Sequence, residues 1–161
     1  MKTIAQLFVR TAAVRLEHDY LPKVMRCLEL LPEEDLWWRP HEGTNGVGQI
    51  LRHLEGNLRQ WVICGLGAGD DRRDRDHEFS GSTRETRDEL LSRLSVTVRE
   101  AAQVLRELDE ATLQRRHRIQ VYWTTGLDAA FHAVEHFSGH VGQVIWITKL
   151  RTGRPVDFYS L

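Results

Sequence analysis

Apolar side chains recur at steps of three and four along most of the chain, which is the spacing of one face of an α-helix. The pattern forms four long runs, at residues 4–28, 47–62, 90–108 and about 125–150. Four long helices in 161 residues predict an all-α fold, a four-helix bundle in a single domain that spans residues 1–161.

Residues able to cap a helix precede these runs and set their predicted beginnings. The predicted caps are Thr3 with Gln6, Thr44 or Asn45, Ser82 with Glu85, and Thr125 with Asp128. Pro22 lies inside the first run, where a proline removes a backbone hydrogen bond, so the sequence predicts a kink or a break there.

The segments between the runs are predicted to be connections. Residues 70–81 are strongly charged and predict an exposed loop, in which the alternating Arg and Asp of residues 73–76 form a solvated surface. Residues 119–123 alternate as a strand does, but one short run does not make a sheet. We therefore interpret residues 119–123 as a connecting segment.

Charge and composition exclude several classes of partner. The net charge of −1 gives no electrostatic basis for binding nucleic acid or an acidic membrane surface. No apolar run is long enough to span a bilayer, and the first ten residues do not have the pattern of a signal peptide. The two cysteines, Cys27 and Cys64, are expected to be reduced thiols, which favours a cytoplasmic location.

Histidines on the last predicted helix are the strongest candidates for chemistry. His136 and His140 are four residues apart, which places their rings on one face about 6 Å apart along the axis. His132 lies one turn earlier, so the pair that shares a metal ion is either His132 with His136 or His136 with His140. His53, beside the apolar stripe of the second helix, is the natural third ligand in a bundle.

The surroundings of these histidines favour burial, because apolar residues complete their stripe on the helix. Imidazoles are costly to bury without compensation, which a metal ion supplies. Gly139 and Gly142 are predicted to let another helix approach closely near His140. The plain alternative is a helical interaction protein with core histidines and no metal.

A second metal pattern overlaps the first. Residues 132–136 read H-x-x-E-H, the inverted zinc-peptidase pattern, in which Glu135 would be the general base. Glu135 falls on the polar face of the predicted helix, and no glutamate follows it as a further ligand. The pattern therefore lacks the inward-facing glutamate and the further acidic ligand that such peptidases have.

Two segments together resemble a known family. The segment VGQILRHL at residues 47–54 and the segment HFSGHVGQV at residues 136–144 resemble the DinB-like family, also called YfiT-like metal-dependent hydrolases. The resemblance implies a four-helix bundle in which His53, His136 and His140 hold a divalent ion, nickel or zinc, with His132 as a neighbour. It also implies a homodimer.

The resemblance and the predicted site together favour a metal-dependent transferase that joins a low-molecular-weight thiol to small electrophiles. A metal-dependent hydrolase and a non-catalytic metal-binding or ligand-binding stress protein are the alternatives, since membership of a family does not settle function. Asn57, Gln143 and Trp123 are further candidates to line the pocket or to support the ligands, although ordinary packing roles suit them equally.

Overall fold

The computed structural model describes residues 1–67, 69–79 and 84–158, which fold into a predominantly helical bundle. Seven α-helices are present in these residues: α1 (Ile4–Val14), α2 (Leu21–Leu30), α3 (Val47–Leu58), α4 (Arg75–Phe79), α5 (Arg87–Glu107), α6 (Glu110–Gln114) and α7 (Gly126–Thr152). Helix α3 packs against α5 and α7, while α1 packs on α5 and α2 packs on α7. The predicted all-α bundle of four long helical segments is confirmed.

The first long segment continues through the proline that was expected to interrupt it. Thr3 caps α1 in the predicted capping box with Gln6. A π-helical segment, Arg15–Tyr20, then joins α1 to α2, and the N–H of Leu21 donates to the carbonyl of Leu16. The wider turn accommodates Pro22 at the start of α2, so the prediction of a break is wrong.

The second long segment consists of α3 and a second π-helical segment, Arg59–Cys64. Its cap is Gly46, not Thr44 or Asn45, and the Gly46 N–H donates to Oε1 of Gln49 over 2.8 Å. A Cβ atom at position 46 would lie 2.7 Å from the carbonyl oxygen of Trp38. The close approach of two backbones therefore selects the glycine.

The charged region before α5 is more ordered than its composition predicts. Residues 75–79 form α4, and Glu78 within it is buried. Thr86 caps α5 in a capping box with Glu89, so the predicted start at Ser82 with Glu85 is wrong, and Ser82 itself lies outside the described residues. The prediction of an exposed loop over residues 70–81 is wrong for α4.

A small antiparallel hairpin precedes α7. Strand β1 (Arg116–Ile119) pairs with β2 (Tyr122–Thr125), with Ile119 opposite Tyr122. Gln120 takes the positive φ of 55° that the two-residue turn requires. The interpretation of residues 119–123 as a plain connection is therefore wrong, because these residues include the end of β1, the turn and the start of β2.

Helix α7 is the longest helix of the described residues and has clear limits. Thr125 caps it as predicted, and Gly153 ends it with a φ of 64°. Residues from all four long segments meet in one core, including Leu16, Leu28, Leu54, Leu94, Phe137 and Val144. Among the described helices, none is long and apolar enough to cross a bilayer.

We expect Gly126→Ala to destabilise the bundle. A Cβ atom there would lie 2.3 Å from the carbonyl oxygen of Thr112 and 2.9 Å from Cα of Leu113. Overpacking against backbone should lower the free energy of unfolding by about 1–3 kcal/mol, measured by chemical denaturation. In Gly43→Ala, the new Cβ would meet only His41 at 3.6 Å, and equal losses in both variants would contradict the packing.

Candidate metal centre

Helices α3 and α7 bring three histidines together. His53 on α3 is buried, whereas His136 and His140 on α7 are half-buried. The Nε2 atoms of His53 and His136 are 3.0 Å apart, and the centroid of the His140 ring lies 4.9 Å from that of His53 and 4.5 Å from that of His136. One ligand atom from each of the three residues lies within 4.8 Å of the others.

This arrangement fits a divalent metal ion. Two imidazole nitrogens bound tetrahedrally to one ion at about 2.0–2.1 Å are separated by about 3.3 Å, close to the spacing found here. Facing lone pairs on His53 and His136 repel, so a proton or a cation must lie between them. The buried Nδ1 of His136 has no hydrogen-bond partner among the described residues.

The other ring nitrogen of His53 faces a carboxylate. Nδ1 of His53 lies 3.0 Å from Oε2 of Glu78 on α4. Arg73 clamps the same carboxylate, with Nε 2.6 Å from Oε1 and Nη2 2.8 Å from Oε2. The side chains of Arg73 and Glu78 are 6% and 7% exposed, so the prediction of a solvated charged surface is wrong for Arg73.

Sequence reasoning did not find Arg73 or Glu78, because charge alternation alone is typical of a surface. The role of Gly56, which lies almost one turn beyond His53 on α3, is visible only in the folded structure. A Cβ atom at Gly56 would lie 1.9 Å from Oε1 of Glu78. The glycine therefore makes room for the carboxylate beside His53.

His140 also has a partner for its second nitrogen. Its Nδ1 lies 2.9 Å from Oε1 of Gln143, one turn further along α7. This contact leaves Nε2 of His140 for the cluster and places the predicted neighbour Gln143 against a candidate ligand.

The remaining predicted neighbours lie around the cluster. His132 packs against Trp61 with the two rings tilted and their centroids 4.2 Å apart, and it is outside the group of three. Asn57 is buried on α3, and its Oδ1 has no hydrogen-bond partner among the described residues. Trp123 on β2 is 60% exposed, and no ring contact joins it to the histidines in the part of the chain that the structure describes.

Gly139 and Gly142 lie on the outer face of α7, away from the other described helices. No atom lies within 4 Å of a Cβ built at Gly139 or at Gly142. No helix of the described residues therefore lies against these glycines, because the ligands and the glycines occupy different faces of α7.

The electrostatics of the site keep the two imidazoles of α7 neutral. Burial, aided by the positive charges that His140 and His53 would carry, lowers the pKa of His136 to about 3. Burial also lowers the pKa of His140, although its hydrogen bond to Gln143 opposes this shift. Burial alone would raise the pKa of Glu78, but the hydrogen bonds from Arg73 and His53 outweigh it and lower that pKa. Helix α7 therefore offers neutral nitrogen donors near an ionised carboxylate, as metal binding requires.

Comparison with known proteins identifies the family. The family model described as "Protein of unknown function (DUF1572)" matches residues 3–160, so the chain belongs to that family. Comparison with the curated proteins gives no match.

Two solved structures have a similar fold. A DinB-like protein from Bacillus subtilis, YjoA, superposes with a TM-score of 0.68 at 16% identity, over 94% of this chain and 97% of that one. A DinB-like protein from Bacillus cereus superposes with a TM-score of 0.65 at 13% identity, over 88% and 91% of the two chains. The predicted resemblance to the DinB-like family is confirmed.

The depressed pKa of His136 predicts how the metal-free protein responds to acid. The unfolded chain binds a proton near pH 6.5, whereas the folded ring does so only at about pH 3. The unfolded state therefore holds more protons between these values, and stability should fall as pH drops from about 6.5 towards 3. Denaturation in chelator across this range should show a shallower fall for His136→Asn. Parallel curves for the two proteins would contradict the assignment.

Proposed function

We propose that His53, His136 and His140 hold one divalent metal ion, nickel or zinc, and that the protein uses it to transfer a low-molecular-weight thiol to small electrophiles. The observation that carries the proposal is the convergence of three imidazoles, one of which, His53, contacts a carboxylate through its other ring nitrogen. Nitrogen donors of this kind suit zinc and nickel. When bound, such an ion lowers the pKa of a thiol and favours the nucleophilic thiolate.

The available proton acceptors favour a thiol over water as the nucleophile. Hydrolysis usually relies on a general base near the metal. Glu78 is the carboxylate beside the cluster, and Arg73 and His53 occupy both of its oxygens. Glu135 is exposed on α7, which argues against the inverted peptidase pattern. A thiolate needs no base at the moment of attack.

A cavity along α7 offers room for a small organic molecule. Its volume is about 450 Å³, within the usual range for ligand sites. It lies between the loop around Thr44 and α7, and Ile50, Gln143 and Trp146 contribute to its wall. The described lining includes none of the three histidines, and Gln143, which also contacts His140, connects the cavity to the proposed ligands.

The two cysteines support the proposed cytoplasmic location. Both Cys27 and Cys64 are free thiols, which suits a reducing compartment. Burial raises the pKa of each thiol, so neither is an activated nucleophile of its own.

Metal titration of protein purified without an affinity tag tests the site. We expect one zinc or nickel ion per chain, with His136→Ala weakening binding at least about 100-fold because a ligand is lost. His132→Ala should change affinity less than about threefold, since its ring packs against Trp61 and lies outside the group of three. Equal losses in the two variants, or no binding by the wild type, would contradict the ligand set.

Turnover tests the reaction. The metal-loaded protein should join one of a panel of low-molecular-weight thiols to a small aryl halide or epoxide, and His136→Ala should lose this activity. Stoichiometric metal without turnover across the panel would support the non-catalytic alternative instead.

We also propose that the protein is a homodimer, formed through the outer face of α7. Four large apolar side chains on α7 are between 45% and 60% exposed: Leu127, Phe131, Trp146 and Leu150. Exposed apolar side chains that share one helix face are typical of a contact surface. Between them the helix surface is open at Gly139 and Gly142, which allows close approach of a second helix.

The order of these residues suits a second copy of the same chain. In an antiparallel, two-fold related pair of α7 helices that cross between Ser138 and Gly139, residues equally distant from the crossing lie at the same level. Phe131 then meets Trp146 of the partner subunit, and Asp128 lies level with the partner subunit's Lys149. The charges are complementary, and each contact occurs twice.

Phe131→Glu should weaken this dimer at least about tenfold, because a charge would enter the apolar contact. Sedimentation velocity over a concentration series measures the change. Val121→Glu makes the same kind of substitution at a hairpin residue that is 78% exposed and should leave association unchanged. A monomeric wild type at high concentration would exclude the dimer.

A further inference from the structure

A chain of side-chain contacts links His53 to the charged segment before α5. Glu78 contacts Nδ1 of His53, and Arg73 clamps Glu78. Nη1 of Arg73 donates to Oε1 of Gln60 over 2.8 Å, and Nε2 of Gln60 donates to Asp71 over 2.7 Å. These contacts tie residues 71–78 to α3 and to the π-helical segment that follows it.

The Arg73 and Glu78 charges are buried at a cost that ordinary surface residues avoid. Their two hydrogen bonds offset part of that cost. Replacing such a pair with apolar residues is often neutral or stabilising, so stability alone does not account for it. Its distinguishing feature is its contact with a candidate metal ligand.

The pair offers His53 a partner for either form of its neutral ring. Nη2 of Arg73, a donor, lies 3.1 Å from Nδ1, while Oε2 of Glu78, an acceptor, lies 3.0 Å from the same atom. With the proton on Nε2, the ring donates to Nε2 of His136 and accepts from Arg73. With the proton on Nδ1, it donates to Glu78 and leaves Nε2 free for a cation.

We propose that Glu78, held by Arg73, is the positioning residue of the metal centre, and that metal binding selects the form of His53 protonated on Nδ1. This inference rests on the proposed metal site. The carboxylate accepts the Nδ1 proton, aims Nε2 at the cluster and makes the ring a better donor. Because the coupling is reciprocal, a cation at the cluster strengthens the attachment of Glu78 and Arg73 to α3.

Two adjacent arginines provide a matched pair of variants. Arg73→Gln removes the buried clamp, whereas Arg72→Gln removes the same charge from a side chain that is 87% exposed. We expect Zn²⁺ affinity, measured by competition with a chromophoric chelator, to fall about 10–100-fold in Arg73→Gln and in Glu78→Gln. Arg72→Gln should remain within about twofold of the wild type.

Nitrogen NMR of His53 gives a readout that a purely structural role would not alter. Addition of Zn²⁺ to the wild type should move the His53 proton from Nε2 to Nδ1, and Glu78→Gln should weaken the Nδ1–H hydrogen bond. A structural role alone would lower the melting temperature of the metal-free variants and leave their Zn²⁺ affinity unchanged. If a variant does not fold, the same measurements are made on Arg73→Lys, which keeps the positive charge but cannot bind both oxygens of Glu78 as the guanidinium does.

The outcomes distinguish a failure of the proposed metal site from a failure of the positioning role of Glu78 and Arg73. Wild-type protein that binds no Zn²⁺ would overturn the metal site and the positioning role together. Wild-type binding with unchanged affinity in folded Glu78→Gln and Arg73→Gln would overturn the positioning role alone.

Discussion

The candidate site depends on the packing of α3 against α7, because α3 contributes His53 and α7 contributes His136 and His140. The group of three forms only when the two helices are in contact. Leu54 and Phe137 belong to the one core that joins these helices, and they neighbour His53 and His136 in sequence. A shift of one helix along the other by a single turn, about 5.4 Å, would separate the ring nitrogens beyond the reach of one ion. The close-packed core fixes the position of each helix and therefore sets the geometry of the cluster.

The charge state of the side chains also contributes to the site. Half-buried imidazoles resist protonation, which keeps their nitrogens available as donors at neutral pH. Glu78, the carboxylate that contacts His53, is balanced by the charge of Arg73. The site therefore presents the neutral imidazoles of α7 on one side and an ion pair without net charge behind His53, so that a bound cation would supply the net charge.

The long helices and the histidine spacing could be predicted, because both depend on local periodicity. The i, i+4 pair His136 and His140 is a property of one helix, and His53 followed from the apolar stripe of another. Arg73 and Glu78 could not be predicted, since their burial depends on α4 lying against α3 rather than on any local pattern. The hairpin was missed because the run at residues 119–123 lies across its turn: Ile119 ends one strand and Tyr122 begins the other, so neither strand is visible as a separate run.

The π-helical segment Arg59–Cys64 has a consequence for how the site is held together. A π turn accommodates one more residue than an α turn, so everything beyond it is rotated by about 100° relative to a regular continuation of α3. Gln60 lies in this segment and reaches Arg73, whereas His53 precedes it and is unaffected. Removal of one residue from the start of this segment would therefore leave His53 in place and turn Gln60 away from Arg73. The position of the histidine and the support of the arginine thus depend on different parts of the same helix.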